Sequence, residues 1–433
     1  MKAAFYTLGC KVNQYETQIL RQHFAADGFD IVSHEDDADV YVINSCTVTA
    51  TGDKKTRQLL HRFRRQNSGA VLALTGCMPQ AFPKDAEILI DADVITGAYN
   101  RKGLLDAVKK SLATGERVVD ITKHKKGEDF EQMRVEEFHK KTRAFVKIQD
   151  GCERYCSYCI IPKARGSFRS KSLDDIKSEI TELAEKGFKE IVLVGINLSC
   201  YGVEFGKGLI DAVETACAVD GIHRVRLGSL EPELLSMDIL LRLKKEEKFC
   251  PQFHLSLQSG CDETLRRMNR HYNTSEYMEI VRNIREIFDN PAITTDIMVG
   301  FPGETDQEFD FTIEYVEKLG LAKAHIFSYS RRRGTRADLM DDQVDEQIKS
   351  ARSKKLIEVT TKSQQDFLKK QIGKTANVLI ESDKNGIIKG YSENYTPVKI
   401  LNKNQTDKSI YLDKILKVKI EHIDENGAIG FCI

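Results

Sequence analysis

Residues 145–166 read Phe145-Val-Lys-Ile-Gln-Asp-Gly-Cys-Glu-Arg-Tyr-Cys-Ser-Tyr-Cys-Ile-Ile-Pro-Lys-Ala-Arg-Gly166. An apolar, strand-like start runs directly into Cys152, Cys156 and Cys159, spaced C-x3-C-x2-C. Three thiolates on one short loop can hold three irons of a cubane 4Fe-4S cluster and leave the fourth iron without a protein ligand. A structural zinc site asks for four ligands in a closed tetrahedron. Only His139 lies near enough to be offered as a fourth, and no second Cys-x2-Cys or His pair follows. Chance clustering of three buried small hydrophobes is the third reading.

Outward from this loop, strand-like and helix-like stretches alternate. Further strand candidates are 190–195, 224–230, 253–257, 294–299 and 323–329. Between them, apolar residues recur at helical spacing over 173–186, 208–219, 233–245, 274–288 and 305–319. Six strands each followed by a helix build an open or closed parallel barrel. The charged stretch 343–371 reads as one exposed helix that closes it. Upstream, strands at 3–8, 40–43, 71–75 and 94–96 alternate with helices at 14–26, 54–65 and 102–112, the pattern of a parallel sheet flanked by helices. Residues 123–141 are charged and poor in apolar side chains, and read as a linker. From Gly373 onward the period moves toward two, with strands near 377–380, 387–388, 398–400 and 415–420 separated by Asn, Gly and Asp turns. The expected organisation is therefore α/β: an N-terminal parallel-sheet domain over 1–118, a linker over 119–141, a partial (β/α)6 barrel over 142–371 and a small all-β module over 372–433.

Composition sets the class. Hydrophobic residues make up 41% and charged residues 30% of the 433, the balance of a globular chain too long for one core. No run of about 18 apolar residues and no charged–apolar–small leader occurs, which predicts a cytoplasmic protein with no membrane partner. In that compartment the eleven cysteines stay thiols, so metal binding or catalysis becomes their leading use. Net charge is zero, which leaves no bulk electrostatic argument for nucleic acid. Local clusters exist, among them Arg331, Arg332, Arg333 and Arg336 just after the last barrel strand. A solvated loop is the plain reading of such a run.

A second cysteine set lies upstream. Cys10 follows Thr7-Leu8-Gly9, Cys46 follows Ile43-Asn44-Ser45, and Cys77 follows Leu74-Thr75-Gly76. Each falls at the C-terminal end of an expected parallel strand, so the three can converge on the sheet edge where α/β folds place ligands.

The C-x3-C-x2-C loop, with Tyr158 before its third cysteine, resembles the radical S-adenosylmethionine superfamily. Taken in order, Thr7-Leu-Gly-Cys-Lys-Val-Asn-Gln-Tyr-Glu-Thr17, Asn44-Ser-Cys-Thr-Val48, Gly76-Cys-Met78, Gly151 through Gly166, Leu255-Ser-Leu-Gln-Ser-Gly260 and Gly300-Phe-Pro-Gly-Glu-Thr305 resemble the methylthiotransferase family over essentially the full chain. The resemblance implies two 4Fe-4S clusters, one on Cys152, Cys156 and Cys159 and one on Cys10, Cys46 and Cys77. It implies that S-adenosylmethionine chelates the open iron of the first cluster and is cleaved by an electron to a 5'-deoxyadenosyl radical. The second cluster would carry the sulfur to be inserted. An electron donor such as a flavodoxin or ferredoxin is implied as a partner, and the β module is similar to an RNA-binding TRAM domain. Cofactor contacts carry over by position to Tyr158, Gly195, Asn197, Ser229, Glu231, Gln258 and Gly300, where many radical enzymes have Gly-Gly-Glu in place of Gly195-Ile196-Asn197.

Within the family, Gly9-Cys-Lys-Val-Asn13 resembles the branch that methylthiolates C2 of N6-threonylcarbamoyladenosine at position 37 of tRNA, next to the anticodon. The branches acting on isopentenyladenosine or on a ribosomal-protein aspartate are the alternatives of the same chemistry. A non-catalytic, zinc-stapled RNA-binding protein is the alternative of another class. For a tRNA acceptor, Arg331, Arg332, Arg333 and Arg336 are the candidate cations for a phosphate or the threonyl carboxylate. The sequence leaves the oligomeric state open.

Overall fold

A computed structural model of the chain describes residues 1–135, 142–384, 387–401 and 411–433. The N-terminal unit is built from β1 (Lys2–Thr7), α1 (Lys11–Ala26), β2 (Asp30–Val32), β3 (Val40–Ser45), α2 (Ala50–Gln66), β4 (Val71–Gly76), the short α3 (Cys77–Ala81) and α4 (Pro83–Glu87), β5 (Val94–Thr96), α5 (Gly103–Thr114) and β6 (Val118–Asp120). Its strands form one parallel sheet in the order β2-β1-β3-β4-β5-β6. β3 and β4 are buried along their whole length, which is why they read as continuous apolar runs rather than alternating ones. Two strands escape a periodicity reading: β2 and β6 are three-residue edges, too short to show a pattern. β6 also carries the sheet across the expected boundary at residue 118.

The second unit runs β7 (Arg143–Lys147), β8 (Gln149–Asp150), α6 (Ile161–Arg165), β9 (Arg169–Ser170), α7 (Leu173–Glu185), β10 (Glu190–Val194), α8 (Leu209–Cys217), β11 (Arg224–Leu227), β12 (Ser229–Leu230), α9 (Met237–Lys245), β13 (Gln252–Leu255), α10 (Asp262–Arg267), α11 (Thr274–Ile287), β14 (Ala292–Val299), α12 (Asp306–Leu319), β15 (Lys323–Ser328) and α13 (Glu346–Lys369). Its main strands are parallel and lie in two sheets, β11-β10-β7 and β12-β13-β14-β15. The expected third strand is interrupted at Gly228, between β11 and β12, so the six-strand partial barrel has a seam there. Helix starts follow their caps: the Asn273 and Thr305 side chains each accept from the backbone N–H three residues on and close a capping box with Glu276 and Glu308. α13 is not a wholly exposed helix. Its Leu356 and Leu368 are buried, and Arg352 pairs with buried Glu304 at 2.7 Å.

The third unit is a closed barrel, β16 (Thr375–Lys384), β17 (Ile387–Tyr391), β18 (Pro397–Leu401), β19 (Ile415–Ile423) and β20 (Ala428–Cys432), in the order β16-β17-β18-β20-β19. It docks on the first strands of the second unit: Arg224 and Arg226 donate to the carbonyls of Tyr391 and Glu393 at 3.0 and 2.8 Å. The Arg143 guanidinium lies over the stacked pair Tyr391 and Tyr395, 5.0 and 4.8 Å from the ring centres.

Helix α1 joins the first two units because two of its faces are apolar. Leu20 and Phe24 pack into the N-terminal sheet, while Tyr15 and Ile19 enter the barrel core beside Val146 and Ile180. Each such side chain gains roughly 1.5–3 kcal/mol from burial. The expected linker is anchored at a few points of its described part. Phe130, Met133 and Val135 are buried, and Glu131 pairs with Arg101 at 2.6 Å, so an apolar residue at wide spacing holds a charged strap down. Residues 136–141, with His139, lie outside the described residues.

Between the units lies a buried ionic cluster. Glu16 of α1 meets Arg101 at 2.7 Å, Lys147 at 2.8 Å and Arg165 at 2.5 Å. Asp150 meets Lys147 at 2.5 Å and Arg169 at 3.2 Å. Burial works to raise the Glu16 pKa, but Arg101, Arg165 and Lys147 together overcome it and hold the carboxyl at about 2 instead of 4.5. A depressed carboxyl stabilises the fold above its unfolded value and loses that contribution as pH falls toward its folded value. Glu16→Ala strands buried cations and is expected to cost roughly 3–5 kcal/mol at pH 7, read as a lowered urea midpoint. The gap between wild type and variant should close as pH drops from 4.5 toward 2.

Candidate functional site

Cys152, Cys156 and Cys159 occupy the loop between β8 and α6, at the C-terminal end of β7. The loop is tied at several points. The Cys152 N–H donates to Gly166 O at 3.1 Å, and Ser157 donates from its N–H and Oγ to Met268 O and Arg267 O at 3.0 and 2.8 Å. Gly151 sits at φ +74°, where a Cβ would fall on the Ser167 carbonyl. Asn197 Nδ2 lies 3.7 Å from Cys152 Sγ, and Arg270 Nη1 lies 3.2 Å from Cys156 Sγ. Burial, helped by neighbouring Cys156, pushes the Cys159 thiol up to about 12. A bound metal ion overrides such a shift, because a coordinated thiol is deprotonated outright.

The other expected contacts sort by surroundings. The Asn197 N–H donates to Gln149 Oε1 at 2.7 Å, and a Cβ on Gly195 would come within 3.0 Å of that same Gln149. Glu231 is ion-paired to Arg270, and Ser229 is exposed on β12. Gln258 holds φ +67°, and its buried Oε1 has no hydrogen-bond partner among the described residues. An acceptor left unmatched there suits a donor brought by a ligand. Tyr158 is half-buried against Phe301, with ring centres 6.4 Å apart. Gly300 sits at φ +68°, where any Cβ would strike the Lys349 side chain of α13, so close packing here asks for glycine.

The arginines after β15 need correction too. Arg332 is buried and bonds Asp53 at 2.8 Å and Thr47 Oγ1 at 2.5 Å, which ties the second unit to the loop after Cys46. Arg331 and Arg333 are exposed but paired with Asp338 and Asp85, both at 2.6 Å, and Arg336 is exposed. Arg332 and Arg333 thus tie this loop to the first unit, Arg331 pairs within its own loop, and Arg336 stays on the surface.

Cys10, Cys46 and Cys77 follow β1, β3 and β4, which are sheet neighbours. Asn13 binds the first two loops together, donating from Nδ2 to Leu8 O at 2.8 Å and to Ser45 O at 3.0 Å. Ser45 Oγ donates to Thr75 O at 2.7 Å and so reaches the third. A Cβ on Gly9, at φ +103°, would stand 3.0 Å from Cys46 Sγ, so the loops meet too closely for any other residue. Cys77 is buried and packs on Ile160 and Ala164, directly after Cys159. The two cysteine loops thus share an apolar contact. Burial pushes the Cys77 thiol up to about 12 against the pull of Arg165, whose Nε lies 3.3 Å from its sulfur.

Among the described residues no three His, Cys, Asp or Glu side chains close around a single ion. A cubane, with irons at separate corners, asks for no such closure. Both triads suit cluster binding: soft thiol donors on short, tied loops, with Gly9 where a Cβ would crowd Cys46 and Gly151 where one would strike the loop's own backbone. Asn13, Arg154, Arg165, Cys200 and Arg270 were not singled out by sequence reasoning. Asn13 carried a signal in its place in the N-terminal cysteine motif, Arg154 and Arg165 in theirs in the stretch 145–166, and Arg165 and Arg270 in runs of basic residues.

A partial parallel barrel bearing a three-cysteine loop after its first strand is the architecture of a radical S-adenosylmethionine enzyme. Residues 146–316 match the Radical SAM superfamily model, and residues 2–97 match that of the uncharacterized protein family UPF0004. The fold is similar to that of the radical S-adenosylmethionine methyltransferase TsrM from Kitasatospora setae (TM-score 0.58, 14% identity, 78% of this chain and 74% of that one). The chain is 38% identical to the threonylcarbamoyladenosine tRNA methylthiotransferase MtaB of Aquifex aeolicus, over 92% of this chain and 96% of that protein. It is 33% identical to the tRNA-2-methylthio-N(6)-dimethylallyladenosine synthase of Pelotomaculum thermopropionicum, over 88% and 87%. The chain belongs to the radical S-adenosylmethionine methylthiotransferase family. Membership brings S-adenosylmethionine and a 4Fe-4S cluster as cofactors. No helix among the described residues is long and apolar enough to cross a membrane.

Proposed function

We propose that this chain methylthiolates C2 of N6-threonylcarbamoyladenosine in tRNA, with Cys152, Cys156 and Cys159 holding one 4Fe-4S cluster and Cys10, Cys46 and Cys77 a second. The observation that carries the proposal is the meeting of two cysteine triads, each at the strand ends of its own sheet, across the contact of Cys77 with Ile160 and Ala164. When bound, the clusters and S-adenosylmethionine supply an electron, a radical and the sulfur, chemistry that no side chain here provides. The chain's part is placement. Asn197, beside Cys152, and Gln258, with its unmatched Oε1, would offer the cofactor polar atoms, and Arg270 is fixed by Glu231 and by Tyr272 Oη at 3.1 Å, so its N–H stays on Cys156. The acceptor base must leave its stack to reach the site, which single-stranded anticodon loops allow. The small barrel over 375–432 is the RNA-holding module, and a flavodoxin or ferredoxin is the expected electron donor.

Identity to the Aquifex enzyme across nearly the whole chain favours threonylcarbamoyladenosine over isopentenyladenosine. Mass spectrometry of tRNA nucleosides from a deletion strain tests the choice. Loss of the 2-methylthio derivative of threonylcarbamoyladenosine, with recovery on complementation, is expected. Retention of that derivative, with loss of the isopentenyl one instead, would move the assignment to the other branch.

A further inference from the structure

We propose that Arg165 is a positioning residue that raises the reduction potential of the cluster on Cys10, Cys46 and Cys77 by donating its Nε–H to the Cys77 sulfur. The inference rests on the second-cluster reading above.

Arg165 is completely buried, and every nitrogen of its guanidinium is engaged. Nε points at Cys77 Sγ at 3.3 Å, Nη1 at Glu16 Oε1 at 2.5 Å, and Nη2 at Asn13 Oδ1 and Glu16 Oε2 at 2.6 and 3.0 Å. The planar fork therefore fixes where Nε–H aims, which a lysine on the same stem cannot do. Asn13, its second partner, is the residue that ties the Cys10 and Cys46 loops. One side chain thus touches the supports of all three cysteines.

The surrounding charges nearly cancel. Arg101, Lys147, Arg165 and Arg169 face Glu16, Glu128, Glu131 and Asp150 across the same buried cluster. Net charge is then a weak lever at the cysteines, and the directed N–H at the sulfur is the strong one. Hydrogen bonds to cysteine sulfur are among the features that set iron–sulfur potentials, since they stabilise the form carrying the extra electron. Arg165 also lies six positions past Cys159, on the helix that leaves the other cysteine loop. The donor to one triad is carried by the element that bears the other.

The test uses the full chain with Cys152, Cys156 and Cys159 replaced by alanine, reconstituted anaerobically with iron and sulfide so that only the first triad is loaded. Reduction adds one electron and no proton, the electron coming from dithionite, and is followed by electron paramagnetic resonance. Arg165→Gln should shift the reduction equilibrium at least about tenfold toward the oxidised form, a fall of about 59 mV for one electron. Because that variant leaves Glu16 short of a partner, Glu16→Gln/Arg165→Gln removes one charge of each sign and should show the same fall. A potential unchanged in the folded double variant overturns the inference while leaving the second cluster standing. Failure of the parent protein to take up iron and sulfide would instead reject the second cluster itself.

Discussion

Cys156→Ala, reconstituted anaerobically, is expected to lose reductive cleavage of S-adenosylmethionine to the level of cluster-free protein and to keep about four of roughly eight irons. Cys156 is the informative position because the side chain bonded to its sulfur is a cation, not a second thiol. Its sulfur faces Arg270 Nη1 at 3.2 Å. Cys152, by contrast, shares the Asn197 amide with Cys200, whose sulfur stands 3.2 Å from Nδ2 and offers a substitute thiol. The buried Arg270, left beside an alanine, keeps Glu231 as its partner, so the fold should survive. Production of 5'-deoxyadenosine at the wild-type rate by well-loaded variant protein would remove the barrel loop from the chemistry.

The second large effect separates the two triads. Cys46→Ala should keep cofactor cleavage near the wild-type rate yet give no methylthio product on tRNA, because only the triad of Cys10, Cys46 and Cys77 is broken. Cys46 is half-buried, and alanine keeps the Cβ against which Gly9 packs, so the loss falls on the sulfur and not on the loop. The assay pairs 5'-deoxyadenosine release with a nucleoside digest. Methylthio product from the variant would show that this triad is structural.

What could be read from the chain, and what could not, follows from range. The C-x3-C-x2-C loop is local, and Cys10, Cys46 and Cys77 obey a rule of strand ends, so the placement of the six cysteines in the fold and the alternating α/β order were legible together. The short edge strands β2 and β6 were not, since three partly exposed residues carry neither a period nor the buried apolar run that marks the equally short β5. Nor was the seam at Gly228, which breaks one apolar run into β11 and β12. Most hidden of all was the charged interior. Arg165 and Glu16 lie far apart in sequence and look like surface residues, yet they meet at 2.5 Å with no exposure. The arginines after β15 misled in the same way: Arg332 spends its charge on Asp53 of the other unit. Charge patterning reports composition along the chain, and only the fold decides which charges face each other.

Iron and acid-labile sulfide counted together in the anaerobically reconstituted full chain test the central claim, two cubanes on two cysteine triads. Roughly eight of each per chain is the result expected, falling to about four when either triad is replaced by alanine. Zinc without sulfide, or an iron and sulfide count that stays unchanged when one of the triads is replaced, would contradict it.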